Sequence, residues 1–84
     1  MTVRLRLFAQ AKDAAGRAAD EFDVATLGAV LDAARERYGP EFAGVLANAR
    51  VWVNGDEPNA GDDTHLKDGD EVAVLPPVSG GAGP

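Results

Sequence analysis

The hydrophobic and polar positions of this chain follow two different periods, which predict strands and one long helix. Apolar and polar residues alternate over residues 2–8, 18–24, 50–54 and 71–75, and a period of two predicts four β-strands. Between the second and third strands, apolar residues recur at helical spacing, which predicts an amphipathic helix over residues 27–38. Its apolar stripe consists of Leu27, Val30, Leu31, Ala34 and Tyr38.

Shorter segments connect these elements. Residues 9–16 are rich in alanine and end in glycine, which predicts a short helical turn or a loop. Thr26 is suited to cap the start of the long helix, and the Gly-Pro pair at 39–40 ends it. Residues 41–47 are predicted to form a further short turn, and the acidic residues 56–64 a loop, with room for one more short strand before the last one. The order predicts an α+β fold in which one mixed, four- to five-stranded sheet is covered by one main helix.

The chain divides into a predicted domain, residues 1–75, and a flexible C-terminal tail, residues 76–84, which contains Gly80-Gly81. The two prolines that open the tail lack amide donors, so the last strand cannot continue through them. An extended chain from the first proline to the second glycine projects roughly 19 Å. A stiff stalk with a thin glycine tip suits insertion into a narrow tunnel of a partner, and the plainer alternative is a frayed terminus.

Composition excludes several classes of protein. A chain of 84 residues makes one small domain with a modest core, and the absence of cysteine excludes disulfides, thiol catalysis and cysteine-ligated metals. Fourteen acidic and eight basic residues give a net charge of -6, which argues against nucleic acid or an anionic membrane as a partner and favours a basic protein surface. Without a long apolar run or a signal peptide, the chain is expected to be cytoplasmic.

Side-chain chemistry has little support. His65 is the one histidine and is predicted to be a solvated loop residue, so no metal site is predicted. The carboxylate pairs Asp62/Asp63 and Asp56/Glu57 are interpreted as surface charge rather than as a general acid and base, because no pocket is evident around them. The protein is therefore not predicted to be an enzyme by itself.

The remaining reactive group is a carboxylate at the end of the glycine pair. Held in the active site of a partner, a carboxylate can attack the α-phosphate of ATP. The acyl-adenylate that results is a good electrophile for a sulfur nucleophile, and the product is a thiocarboxylate on the chain end. Glycine suits this chemistry because any side chain would obstruct insertion and crowd the acyl carbon.

The sequence resembles the MoaD/ThiS family of ubiquitin-like sulfur carriers over nearly its whole length. The matching stretches are VRLRLFAQ (3–10), TLGAVLDAARERYG (26–39), VWVNG (51–55) and LKDGDEVAVLPPVSGG (66–81). An ending of the form DGDEVA-x-x-PPV-[ST]-GG is typical of MoaD, the small subunit of molybdopterin synthase. The resemblance implies the β-grasp fold.

The resemblance also implies a route for sulfur. An adenylating enzyme of the MoeB/ThiF type, which uses ATP and magnesium, would activate Gly81, and Gly80 would permit passage of the tail. The carrier itself would bind no cofactor stably. The thiocarboxylated tail would then enter the large subunit of molybdopterin synthase and give its sulfur to a cyclic pterin precursor, building the dithiolene that holds molybdenum.

The sheet face opposite the long helix is the predicted docking surface. By alternation it carries Phe8, Trp52 and Leu75, and apolar residues on an uncovered sheet face indicate a partner. Phe8 and Leu75 match apolar positions that MoaD-like proteins use at such interfaces, whereas for Trp52 a place in the small core is an equal alternative. The predicted partner-binding residues are Phe8, Trp52, Leu75, Pro76, Pro77 and Val78. Arg4 and Arg6 lie on the same face as Phe8 and are expected to pair with acidic residues of a partner. Glu57 stands at a position where a relative carries an apolar residue.

The tail departs from the family pattern. Family members end at the second glycine, whereas here Ala82-Gly83-Pro84 follow, so that Gly81 as written has no free carboxylate. Three explanations are open: a peptidase such as a zinc metalloprotease trims the chain after Gly81, the three residues are an expression remnant, or the protein is inactive or repurposed. Trimming is the hypothesis adopted.

Other functions also stay open. The helix opening TLGAVL and the extended tail resemble carriers for cysteine synthesis, whereas PPVSGG favours the molybdopterin branch. The thiamine thiazole and a specialised thio-metabolite are further possible acceptors. Outside the sulfur-carrier class, the chain could be a modifier joined to target lysines, or a plain β-grasp interaction domain in which the tail is irrelevant.

Overall fold

The computed structural model describes residues 2–58 and 60–77. Within them the strands are β1 (Val3–Leu7), β2 (Ala19–Phe22), β3 (Arg50–Val53) and β4 (Glu71–Leu75). The helices are α1 (Ala9–Ala15), α2 (Leu27–Tyr38) and α3 (Pro40–Leu46), with one 3-10 turn at Gly61–Asp63. The sheet order is β2-β1-β4-β3, in which β1 and β4 are parallel and the two outer pairs are antiparallel. This mixed sheet with helices packed across one face confirms the predicted α+β fold class.

The core lies between one face of the sheet and the helices. Because side chains alternate across a strand, every second residue of the two central strands is buried. These residues are Val3, Leu5, Leu7, Val72 and Val74. Opposite them lies the apolar stripe that the helical spacing predicts, with four members buried and Tyr38 half-buried. The start of α2 is fixed by Thr26, whose hydroxyl oxygen accepts a hydrogen bond from the backbone N–H of Ala29 at 3.2 Å.

The two segments predicted as short turns are regular helices. The α1 helix ends at Gly16 with φ 77, a left-handed conformation that favours glycine. Pro40 opens α3, where its missing amide donor is not needed by the helix. Phe42, on α3, is completely buried, so this helix supplies core volume that a single turn would not. None of the helices in the described part of the chain is long and apolar enough to cross a membrane.

The connection between β3 and β4 is tied to α2 rather than being a free acidic loop. Leu27 donates its backbone N–H to the carbonyl of Thr64 at 2.9 Å, and Leu66 donates to the carbonyl of Ala25 at 2.8 Å. The Leu66 side chain is buried and anchors the connection to the core. No further strand forms between β3 and β4 within the described residues, which hold a 3-10 turn and isolated bridges there.

A cluster around Asp20 joins β2 to the end of α2. Its carboxylate accepts a hydrogen bond from the Tyr38 hydroxyl at 2.6 Å and one from the Arg37 guanidinium at 2.9 Å, and Arg17 lies 3.3 Å away. The Asp20 side chain is only 12% exposed. Burial opposes its ionisation, but the hydrogen bonds from Tyr38, Arg37 and the N–H of Glu21 outweigh burial and lower the pKa of Asp20 to about 2. The same contact and burial raise the pKa of Tyr38.

This pKa predicts how stability depends on pH. Because the pKa of Asp20 is lower in the folded chain than its ordinary value of 3.8, its contribution is present above about pH 4 and is lost as the pH falls towards 2. A shift of this size corresponds to about 2 kcal/mol at neutral pH. Asp20→Asn keeps an oxygen acceptor but removes the charge. We therefore expect urea unfolding at pH 7 to give a free energy of unfolding lower than the native one by about this amount, and a smaller difference in that free energy at pH 2.

Glu36→Gln, which removes one charge on the solvent face of α2, is the matched control. Equal free energies of unfolding for Asp20→Asn and the native sequence at pH 7 would contradict the assignment.

Candidate functional site

The sheet face away from the helices is open, and its apolar residues gather where the tail begins. Phe8 is 38% exposed and Leu75 is 36% exposed, and they are the exposed large hydrophobic residues of the described chain. The parallel register sets Leu7 opposite Val74, so the next pair along the two strands is Phe8 opposite Leu75. We call Phe8, Leu75 and Trp52 the apolar patch.

Trp52 belongs to this open face rather than to the core. Its neighbours Val51 and Val53 pack against the core, and alternation turns Trp52 to the other side of β3. It is half-buried and lies opposite Ala73 in the antiparallel register. The structure therefore sets Trp52 on the open face of the sheet, and its part in docking stays a prediction.

The chain turns sharply just behind Phe8. Ala9, the first residue of α1, has φ 50, a left-handed conformation that costs a residue with a side chain roughly 1–2 kcal/mol. Phe8 itself is extended, with φ -126 and ψ 152, so it continues the alternation of β1 onto the open face. The guanidinium of Arg6 lies 5.7 Å from the centre of the Phe8 ring and borders the patch on the side away from the tail.

The charged half of the open face is internally paired. Arg4 and Arg6 were expected to pair with acidic residues of a partner, but each already lies beside an acidic residue of this chain. Arg4 lies 3.9 Å from Glu21, and Arg6 lies 3.4 Å from Glu71. Sequence alternation placed the arginines on the correct face, but only the strand register shows which acids lie beside them. These exposed pairs contribute little to stability, and they frame the apolar patch with balanced charge.

At the corner where Glu57 departs from a relative's apolar residue, the carboxylate lies 3.6 Å from the Arg50 guanidinium. Arg50 stands opposite Leu75 in the register of β3 and β4. A charged pair therefore borders the apolar patch on the β3 side. The apolar patch therefore ends at this border and does not include the position of Glu57.

Pro76 and Pro77, the first two residues of the tail, lie beside a groove that the sequence did not predict. Pro76 is half-buried and Pro77 is exposed, and both line a groove of about 360 Å³ between α1 and α3. The groove also includes Gln10, Glu41, Gly44, Val45 and Asn48. No sequence signal pointed to it, because it exists only where α3 packs beside α1 and the end of β4.

The remaining predicted site residues, Val78, Gly80 and Gly81, lie outside the described residues, as do Ala82-Gly83-Pro84. His65 is exposed, as expected for a solvated loop residue. Among residues 2–58 and 60–77, no group of three or more histidine, aspartate or glutamate side chains is arranged to hold a metal ion.

Comparison with known families decides what kind of protein has this sheet and tail. The family model described as the ThiS family matches residues 5–81, from β1 through the second glycine of the tail. This chain belongs to the ThiS family. No curated protein sequence matches it.

Solved structures give this ThiS-family chain its neighbours. SAMP1 from Haloferax volcanii is 30% identical, covering 94% of this chain and 98% of that chain with a TM-score of 0.81. A Pyrococcus furiosus protein named as a candidate molybdopterin converting factor subunit 1 is 27% identical, covering 93% and 99% with a TM-score of 0.80. A chain in the protein–protein complex of subunits 1 and 2 of the molybdopterin-converting factor from Helicobacter pylori is 25% identical, covering 93% and 96% with a TM-score of 0.68.

The family and these neighbours confirm the predicted resemblance and its β-grasp fold. The chain is a member of a family of ubiquitin-like sulfur carriers and modifiers.

Proposed function

We propose that this ThiS-family chain carries sulfur as a thiocarboxylate on Gly81 and delivers it in molybdopterin biosynthesis. The observation that carries the proposal is the position of the apolar patch. Phe8 and Leu75 are exposed at the end of the sheet from which Pro76 and Pro77 leave. A partner that binds the patch therefore lies over Pro76 and Pro77, and Gly81 follows Pro77 by four positions in the sequence.

The chemistry requires a free carboxylate on Gly81. Since Ala82 follows it, water must first cleave the Gly81–Ala82 peptide bond, for which we propose a peptidase such as a zinc metalloprotease. The Gly81 carboxylate oxygen then attacks the α-phosphorus of ATP, and pyrophosphate leaves. Sulfide delivered by a partner attacks the acyl carbon, AMP leaves, and the thiocarboxylate remains on the chain.

The chain supplies the substrate end and the docking surface, while its partners supply the catalysis. We propose a MoeB/ThiF-type enzyme, with ATP and magnesium, for activation, and the large subunit of molybdopterin synthase for sulfur transfer, all in the cytoplasm. The Helicobacter pylori complex of two molybdopterin-converting factor subunits supports a large-subunit partner. The ending PPVSGG supports the molybdopterin branch over the cysteine, thiamine and other thio-metabolite acceptors.

The test compares the chain ending at Gly81 with the chain ending at Pro84. Each is incubated with a MoeB-type enzyme, ATP, magnesium and sulfide, and then with the large synthase subunit and the cyclic pterin precursor. We expect the shorter chain to gain the mass of one sulfur in place of one oxygen, and then to lose it as molybdopterin forms. The longer chain should stay unmodified. Sulfur loading without transfer to the pterin would reject the molybdopterin branch, and no loading of the shorter chain would reject the carrier function.

A protein modifier is the second candidate, and the 30% identity to SAMP1, a small archaeal modifier protein by name, favours it. In that case the activated Gly81 would form an isopeptide bond with target lysines. Capture of the tagged chain from its source cells separates the two functions. A ladder of isopeptide-linked proteins supports a modifier, whereas a thiocarboxylate at Gly81 without such a ladder supports a carrier.

A further inference from the structure

The outer strands β2 and β3 are the places where another chain could add a strand to the sheet. An edge strand presents backbone N–H and C=O groups to any extended chain. In an antiparallel pair, successive residues face alternately towards the neighbouring strand and outwards. Leu7 donates its N–H to the carbonyl of Ala18 at 2.8 Å, so on β2 it is Ala19 and Glu21 whose backbone groups face outwards.

Neither outward group of Glu21 is available for pairing. Its backbone N–H donates to the Oδ1 of Asp20 at 2.8 Å. Its carbonyl oxygen accepts from the Nη1 of Arg37 at 3.5 Å. A strand that was added to β2 would have to place its own carbonyl and N–H where these two side chains lie.

These two side chains are held firmly in place. The Arg37 Nη1 lies 2.9 Å from the Oδ2 of Asp20, and the guanidinium stacks over the Phe22 ring at 4.3 Å from its centre. Asp20 in turn accepts the hydrogen bond from the Tyr38 hydroxyl at 2.6 Å. Uncovering Glu21 would therefore break its two hydrogen bonds and disturb the contacts of Arg37 with Asp20 and Phe22.

We propose that Asp20 and Arg37 close the outer edge of β2 and thereby prevent two copies of this chain from pairing β2 with β2. A second copy is the partner to consider, because a strand paired antiparallel to its own copy forms a self-complementary twofold contact. An antiparallel twofold pairing of these four-residue strands overlaps three residues in either of two registers, which set Glu21 of one copy opposite Ala19 or opposite Glu21 of the other. Every hydrogen bond of that contact involves Glu21, so one covered residue per copy removes them all.

The other edge of the sheet is closed at the same end by the backbone itself. Asn54 donates to the carbonyl of Glu71 at 2.8 Å, which leaves Val53 facing outwards. Val53 and Asp56 then exchange both backbone hydrogen bonds, at 2.8 and 3.0 Å, across the tight turn that Gly55 completes. At Val53 the edge of β3 is thus closed by backbone groups, whereas the closure of β2 at Glu21 depends on side chains that a substitution can remove.

The experiment uses the full chain and sedimentation equilibrium over a range of concentrations at neutral pH. For the double variant Asp20→Ala/Arg37→Ala we expect the average mass to rise from the monomer value of 8.7 kDa towards twice that value as concentration increases. The Glu21 amide should become protected from hydrogen exchange at the same concentrations. The native sequence should stay at the monomer mass.

Two single variants serve as controls. Tyr38→Phe removes a hydrogen bond to Asp20 but leaves Glu21 covered, so it should stay monomeric. Arg35→Ala removes an arginine of the same helix that pairs with Asp32 at 2.7 Å and not with β2, and it should also stay monomeric.

The outcomes are distinct. A folded double variant that remains monomeric with a rapidly exchanging Glu21 amide overturns the proposal, and so does association that leaves this amide unprotected. A native chain that already pairs through β2 overturns it as well. If the double variant does not fold, Asp20→Val/Arg37→Ala decides by the same two readouts, because valine favours a strand and, like alanine, leaves both backbone groups of Glu21 uncovered.

Discussion

Leu75→Asp is expected to weaken binding to a MoeB-type activating enzyme by roughly 30-fold or more. Leu75 stands at the end of β4, beside Phe8 in the register and one residue before the tail. In the proposed complex a partner that engages the tail covers Leu75, and an aspartate there would have to lose its water in an apolar contact without a partner charge. The measurement is the dissociation constant by calorimetry, with the chain ending at Gly81.

The fold should tolerate this change, because Leu75 is 36% exposed and does not belong to the core. Ala60→Asp is the matched control, since it adds the same charge at an exposed position in the connection between β3 and β4. We expect its dissociation constant to equal that of the native sequence. Leu75→Asp with native affinity would mean that the apolar patch is not the docking surface, whatever the fate of Gly81.

Phe42→Ala is expected to lower the free energy of unfolding by about 3–5 kcal/mol. Phe42 is completely buried on α3, and its ring packs edge-on against Tyr38 with centroids 5.0 Å apart. Removal of the ring would leave a cavity between α2, α3 and the sheet. Since a domain typically has only 5–15 kcal/mol of net stability, this one side chain can decide whether the chain folds at physiological temperature.

Urea unfolding followed by the fluorescence of Trp52 measures this effect. Phe8→Ala is the control, because it removes the same ring from an exposed position, and we expect it to cost much less. A cost below about 1 kcal/mol for Phe42→Ala would show that α3 is dispensable for the core.

Local pattern determined much of this fold. The stripe from Leu27 to Tyr38 fixed the bounds of α2, since an apolar residue at every third or fourth position can be buried together only on a helix. Alternation likewise placed β1, β3 and β4 and gave the correct face to Phe8 and Leu75. The sequence DGDEVAVLPPVSGG also pointed to the family, because it is a local signature that needs no tertiary contact to be read.

Tertiary structure decided the features that depend on distant segments. The α3 helix was predicted as a turn, because seven residues carry too few apolar positions to establish a helical period, and it is the burial of Phe42 that stabilises it. The pairing of Arg6 with Glu71 follows from the parallel register of β1 and β4. These two residues are 65 positions apart in the sequence and come together only on folding.

The closure of β2 by Asp20 and Arg37 arises in the same way, from a helix end packed beside a strand. Sequence determined the strands, the main helix, the family and the face on which Phe8 and Leu75 lie, because propensity and periodicity act over a few neighbouring residues. The partners of each charge, the groove beside Pro76 and the availability of each sheet edge were decided by packing, because they depend on which segments the core brings together.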